Sequence, residues 1–180
     1  MTNDRVNVKR DEIPLILSPQ PLLTPTVLSL PDEVAVVQLH NEGVTLADLP
    51  GIFDAGYSVL AGLGPIGPGF AIYSGDVAST FDLTIGFPVA GAPTPPGIVP
   101  TNAVVNPADL PDGVEHGTFP SGNALVKSHL GSFDGLGPAW AALLETPDLV
   151  RSGPIIEIYV TDPSVTPMEE WRTDLVVPLG

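Results

Sequence analysis

The chain has 180 residues, with 6 Lys or Arg against 21 Asp or Glu, a formal charge of −15. Such a surface repels phosphate, so direct nucleic-acid binding and docking on anionic membranes are not expected, whereas a cationic ligand would be attracted. The absence of cysteine removes disulfides, thiolate nucleophiles and Cys-ligated metal, and scattered His40, His116 and His129 suggest neither a metal site nor a cofactor.

Taken in chain order, residues 1–25 open with a polar stretch that lacks an apolar signal core. Pro14, Pro19, Pro21 and Pro25 punctuate the remainder, so this segment is expected to be an irregular extension, draped over the core or mobile. No stretch approaches 18 uninterrupted apolar residues, and the cytoplasm is the expected location. Residues 26–179 are expected to form a single domain.

That domain is organised by an internal repeat. Leu30-Pro31 with Ala35, Val37 and His40 matches Phe119-Pro120 with Ala124, Val126 and His129. Gly51-Ile52-Phe53-Asp54 matches Gly131-Ser132-Phe133-Asp134, followed by Ala61 and Leu63 against Ala141 and Leu143. Ala71-Ile72-Tyr73 matches Glu157-Ile158-Tyr159, and Phe87-Pro88-Val89 matches Val177-Pro178-Leu179. Repeat 1 covers about 26–90 and repeat 2 about 113–179, with a Pro-rich linker over about 91–112.

Each repeat reads as strand, helix, strand, strand. Val34 to Leu39 and Ala124 to Ser128 are short β-branched and apolar runs, predicted as strands. The G-x-F-D block is predicted to open a helix, with Asp54 or Asp134 in its first turn near the positive end of the dipole. Leu136, Trp140, Leu143 and Leu144 fall on one helical face, and Phe53, Tyr57, Leu60 and Ala61 mark the corresponding face in repeat 1. Predicted strands Phe70 to Ser74 and Phe81 to Val89 close the first unit; Ile155 to Thr161 and Thr173 to Leu179 close the second. One helix over three short strands buries too little by itself. The expected fold is therefore α+β: two such units paired about a pseudo-twofold axis, an antiparallel sheet carrying two helices, and a central cleft at the seam.

The second repeat carries a resemblance. Leu125 to Leu136, Trp140-Ala-Ala-Leu143, Gly153-Pro-Ile-Ile-Glu157-Ile158-Tyr159 and Arg172-Thr173-Asp174-Leu175-Val-Val-Pro178-Leu179 resemble the GyrI-like small-molecule-binding domain. That domain also serves as the effector-binding half of multidrug-responsive transcription regulators. The likeness spans roughly Thr24 to Leu179 and is stronger in the second half. It implies a ligand cleft along the pseudo-twofold and an acidic ligand contact in an E-x-Y context, here Glu157 and Tyr159. Two departures stand out. Phe133 and Ser132 replace a tyrosine and the proline before it in many members, and no helix-turn-helix precedes the domain. The chain is thus not expected to be a DNA-binding regulator by itself.

Glu157 also stands out without the resemblance. It interrupts the apolar run Ile155-Ile156-Glu157-Ile158-Tyr159-Val160, and alternation puts it on the face of Ile155 and Tyr159. Spacing alone leaves two placements open, a solvated sheet face or a cleft. Burial would cost several kcal/mol unless the carboxylate were paired; the resemblance favours the cleft. Tyr73 corresponds to Tyr159 and Ala71 to Glu157, so the cleft would hold one acid and two tyrosines. Trp171, in the loop before the last strand, would cover a cleft edge or cap the core. Trp140 is expected in the core, His40 and His129 in turn hydrogen bonds, and the stretch from Gly62 to Gly69 in a plain loop.

Expected ligand contacts are therefore Glu157, Tyr159, Tyr73 and Trp171, with no catalytic residue assigned. The leading function is a stand-alone binding protein for amphipathic cationic or aromatic molecules. The alternative is a hydrolase of cyclopropane-type electrophiles, as the resemblance allows, using Glu157 and a tyrosine. A second alternative is an acidic, gyrase-inhibitor-type module for an unidentified protein partner.

Overall fold

The computed structural model describes residues 14–32, 34–75, 79–89, 111, 113–162 and 165–179. The Pro-rich linker, apart from Pro111 at its end, and the first half of the N-terminal extension lie outside these residues.

Eight strands and two α-helices among the described residues come in chain order: β1 (Thr26–Leu30), β2 (Ala35–Val44), α1 (Leu49–Leu60), β3 (Gly69–Gly75), β4 (Phe81–Pro88), β5 (Val114–Thr118), β6 (Gly122–Leu130), α2 (Leu136–Leu144), β7 (Ile155–Tyr159) and β8 (Arg172–Pro178). The strands form one sheet in the order β1-β6-β8-β7-β3-β4-β2-β5. Every pairing is antiparallel. Exchanging β1–β4 for β5–β8 reproduces the same order, so the sheet has the expected pseudo-twofold, lying between β3 and β7. Ala71 and Glu157, matched by the repeat, are also direct partners across that seam.

Each half has one strand more than the periodicity predicts. β1 lies in a stretch rich in prolines and turns, and β5 reads Val-Glu-His-Gly-Thr, with a single apolar residue to mark it. Both are edge strands, and each pairs with the other half, β1 on β6 and β5 on β2. This exchange requires a coiled sheet. β1 and β2 stand six places apart in the strand order, about 29 Å in a flat sheet. The four residues joining them span at most about 18 Å. The two short connections instead cross over one face, where the Phe119 amide donates to the Val34 carbonyl (2.9 Å). There the Phe119 ring meets Phe70 of central β3, centroid to centroid at 5.1 Å.

The helices begin differently from expectation. α1 starts at Leu49, so Asp54 lies beyond its first turn. The acid at that end is Asp48, whose Oδ2 accepts from the Thr45 amide (2.9 Å) and hydroxyl (3.1 Å). Pro50, whose missing N–H costs nothing there, also fixes the start. In the second half a 3-10 turn, Phe133–Gly135, holds Asp134, and α2 comes after it.

Alternation along the strands sends apolar residues to both faces of the sheet. On the front, Trp140 and Leu143 of α2 and Leu60 of α1 pack with Ala71, Tyr73, Leu83, Ile85, Leu175 and Val177. Ala61, expected on the same helical face, is exposed. On the rear, Val36, Phe70, Val126, Ile156, Ile158 and Val176 pack with Phe119 and with Leu15, Leu17 and Leu22 of the N-terminal segment. That part of the extension is draped over the core.

Candidate functional site

The two helices stand apart above the central strands and leave a cleft of about 1320 Å³ between them. Its walls come from α1 (Phe53, Tyr57), the 3-10 turn and α2 (Phe133, Trp140) and the loop before β3 (Ile66, Gly67, Pro68); its floor carries Tyr73, Glu157 and Tyr159. Among the described residues, the lining includes Asp54, Glu157 and Asp162 and no Lys, Arg or His.

Glu157 sits in the middle of β7, 5% exposed. β7 alternates as expected: Ile156 and Ile158 enter the rear core, and Glu157 shares the front face with Ile155 and Tyr159. Three neutral donors hold the carboxylate. Oε1 accepts from the hydroxyls of Tyr73 (2.8 Å) and Tyr159 (2.7 Å), and Oε2 accepts from the Trp140 indole N–H (2.8 Å). Hydrogen bonds to a charged group contribute roughly 1.5–3 kcal/mol each, enough together to offset much of the desolvation cost. None of them brings a positive charge, so the hydrogen bonds hold the carboxylate without neutralising it.

The tyrosines register that field. Burial, and then the nearby Glu157 charge, raise the phenols of Tyr57, Tyr73 and Tyr159 well above the ordinary value of 10.0. They therefore remain donors through neutral and moderately alkaline pH. Tyr57 donates to the Phe70 carbonyl instead of to Glu157.

Around this charge the aromatic rings form a continuous wall. Tyr159 meets the edges or faces of Phe53 (5.9 Å), Tyr57 (6.3 Å) and Phe133 (5.9 Å), and Tyr57 meets Phe87 at 5.2 Å. Such a lining offers π faces around one buried carboxylate.

Three of the four expected contacts, Glu157, Tyr159 and Tyr73, meet at one point. Trp171 is not on the cleft surface. Its indole N–H donates to the Thr166 carbonyl (2.8 Å), and its ring packs on the wall residue Phe133 at 4.9 Å. Trp140 belongs to the core as expected, but its N–H also reaches the carboxylate, a role that helical periodicity does not reveal. Phe53 and Phe133 are walls that the sequence reading does not pick out, although their shared place in the two G-x-F-D blocks is a usable signal. His129 bonds the Ser132 carbonyl in the turn (2.9 Å), whereas His40 reaches across the strand pair to Thr84 (2.9 Å). The loop from Gly62 to Gly69, expected to be plain, forms one rim of the cleft through Ile66, Gly67, Pro68 and Gly69.

Among the described residues no group of three or more His, Asp or Glu is arranged to hold a metal. No described helix is long and apolar enough to cross a membrane.

Residues 67–179 match the family described as the GyrI-like small molecule binding domain. A comparison with curated protein sequences gives no match. Among solved structures, the chain resembles the EcmrR C-terminal domain with a TM-score of 0.63 and 15% identity, covering 87% of this chain and 97% of that one. SAV2435 bound to tetraphenylphosphonium gives a TM-score of 0.59 at 15% identity, covering 88% and 94%. A hydrolase from Listeria innocua gives 0.53 at 15% identity, covering 98% of each chain. At such identities the likeness establishes the shared fold.

Proposed function

The chain belongs to the GyrI-like small-molecule-binding family, and on that premise we propose that its cleft binds lipophilic organic cations. The observation that carries this reading is Glu157, a buried carboxylate fixed by three neutral donors on the floor of an aromatic cleft with no basic residue among its described lining. A bound cation would complete the charge balance, and the aromatic walls would enclose its apolar body. That a structural neighbour was solved with tetraphenylphosphonium, an ion of this class, agrees with the reading.

The hydrolytic alternative needs Glu157 to take a proton from water. Both of its oxygens already hold fixed donors, which suits a stationary charge better than a proton carrier. Binding is therefore the favoured reading, and the neighbouring hydrolase adds only a likeness of fold. Nothing among the described residues singles out the acidic protein-interaction module.

Calorimetric titration with tetraphenylphosphonium tests the proposal. Glu157→Gln is expected to weaken binding by about 10–100-fold, the size of losing one charge-assisted contact in a water-poor site. Equal affinity in both proteins, or no binding to wild type, would overturn it.

A further inference from the structure

The N-terminal segment contributes to both faces of the sheet at once. Leu15, 1% exposed, is buried in the rear core, while its neighbour Ile16 is among the residues that line the cleft. The turn that divides them puts Leu15 in the left-handed region at φ 72°, a conformation that a bulky residue adopts only where its surroundings enforce it.

A buried polar chain behind the sheet ties the same segment to the body of the protein. The Arg172 guanidinium donates to the Ser18 carbonyl (2.9 Å) and, through two nitrogens, to both oxygens of Asp174 (3.0 Å each). Asp174 also accepts from the Ser128 hydroxyl (2.7 Å), which in turn accepts from the Leu22 amide (2.8 Å). The Ser128 amide donates back to the Leu22 carbonyl (2.7 Å). From its backbone, Arg172 donates to the hydroxyl of Thr161, itself a cleft residue (2.9 Å). One arginine thus holds both the segment that carries Ile16 and the cleft residue Thr161.

We propose that Ile16, held by the Arg172–Ser18 anchor, is a specificity-determining wall of the cleft that contacts the apolar tail of a ligand and not its charge. The inference rests on the cation-binding reading of the cleft. Ile16 and Glu157 line one cleft of about 1320 Å³, more than a compact cation on the carboxylate fills. A long alkyl arm, and not the compact cation, is expected to extend to Ile16.

Two probes separate the effects: methyltriphenylphosphonium and dodecyltriphenylphosphonium, titrated by calorimetry against the full chain. Ile16→Trp, which adds bulk to that wall, should weaken the dodecyl probe fivefold or more and the methyl probe less than twofold. Ile16→Ala, which leaves the backbone undisturbed, should weaken the dodecyl probe about threefold, again sparing the methyl probe. Arg172→Lys, which removes the planar fork on Ser18 and Asp174, should reduce the same preference without changing Ile16. Glu157→Gln should weaken both probes alike. If both probes bind through Glu157 and the Ile16 variants leave their affinity ratio unchanged, the inference fails while the cation reading stands. If neither probe binds wild type, both fail.

Discussion

Among the described residues, the front and rear faces of the sheet each bury one carboxylate, at adjacent positions of neighbouring strands. Glu157 on β7 pairs with Leu175 of β8, and Ile158 beside it pairs with Asp174. Asp174, fully buried, looks to the rear and is met by the forked guanidinium of Arg172 and by Ser128. Glu157 looks to the front and has tyrosine and tryptophan donors but no cation. The same carboxylate chemistry, buried on both sides, thus gives a closed ion pair on one face and an uncompensated charge on the other. The first ties the N-terminal segment to the body of the protein. The second is suited to a ligand.

This contrast can be broken from either side. Its largest expected effect is on the rear. Arg172→Ala leaves Asp174 buried and unpaired, and should cost roughly 3–5 kcal/mol of stability in chemical denaturation. The double change Arg172→Met with Asp174→Leu should recover most of that loss, because it removes the stranded charge as well. On the front, Glu157→Gln should act mainly on cation affinity, since no positive group is orphaned by it. A loss of stability matching that of Arg172→Ala, with cation affinity intact, would mean that the two carboxylates play the same part.

Tyr159→Phe should have a smaller effect. It removes one donor from Glu157 and leaves Tyr73 on the same oxygen, at a cost of about 1–2 kcal/mol in stability. Smallest is the pH effect. The folded phenols titrate above the unfolded value of 10.0, so their contribution to stability is fully present below that pH. It is lost as pH rises from there through the folded values. A melting temperature that begins to fall in this alkaline window in wild type, and falls less in Tyr159→Phe, is the expected record.

Much of this arrangement is legible in the chain. The repeat locates the two helices, the six inner strands and the seam between them, because apolar periodicity is retained wherever a strand or helix has a buried face. Glu157 is legible because a charge in the middle of an apolar run is costly, and Tyr73 because it matches Tyr159. The edge strands β1 and β5 are not, since half of an edge strand faces water and its pattern weakens into that of a loop. Trp171 is expected at a cleft edge or over the core, and its ring packs on the cleft residue Phe133.

By itself, then, the sequence determined the layer architecture, the internal symmetry and which side chains share a face with Glu157; the first and last derive from local periods of two and 3.6 residues, the symmetry from the repeated blocks. Only the tertiary structure decided which groups surround the two carboxylates. Trp140 reaches Glu157 from another element, and Ser18 lies 154 residues from Arg172 along the chain. Those partners are set by how a coiled sheet brings its edges and its N-terminal segment together. No local pattern of residues encodes that closure.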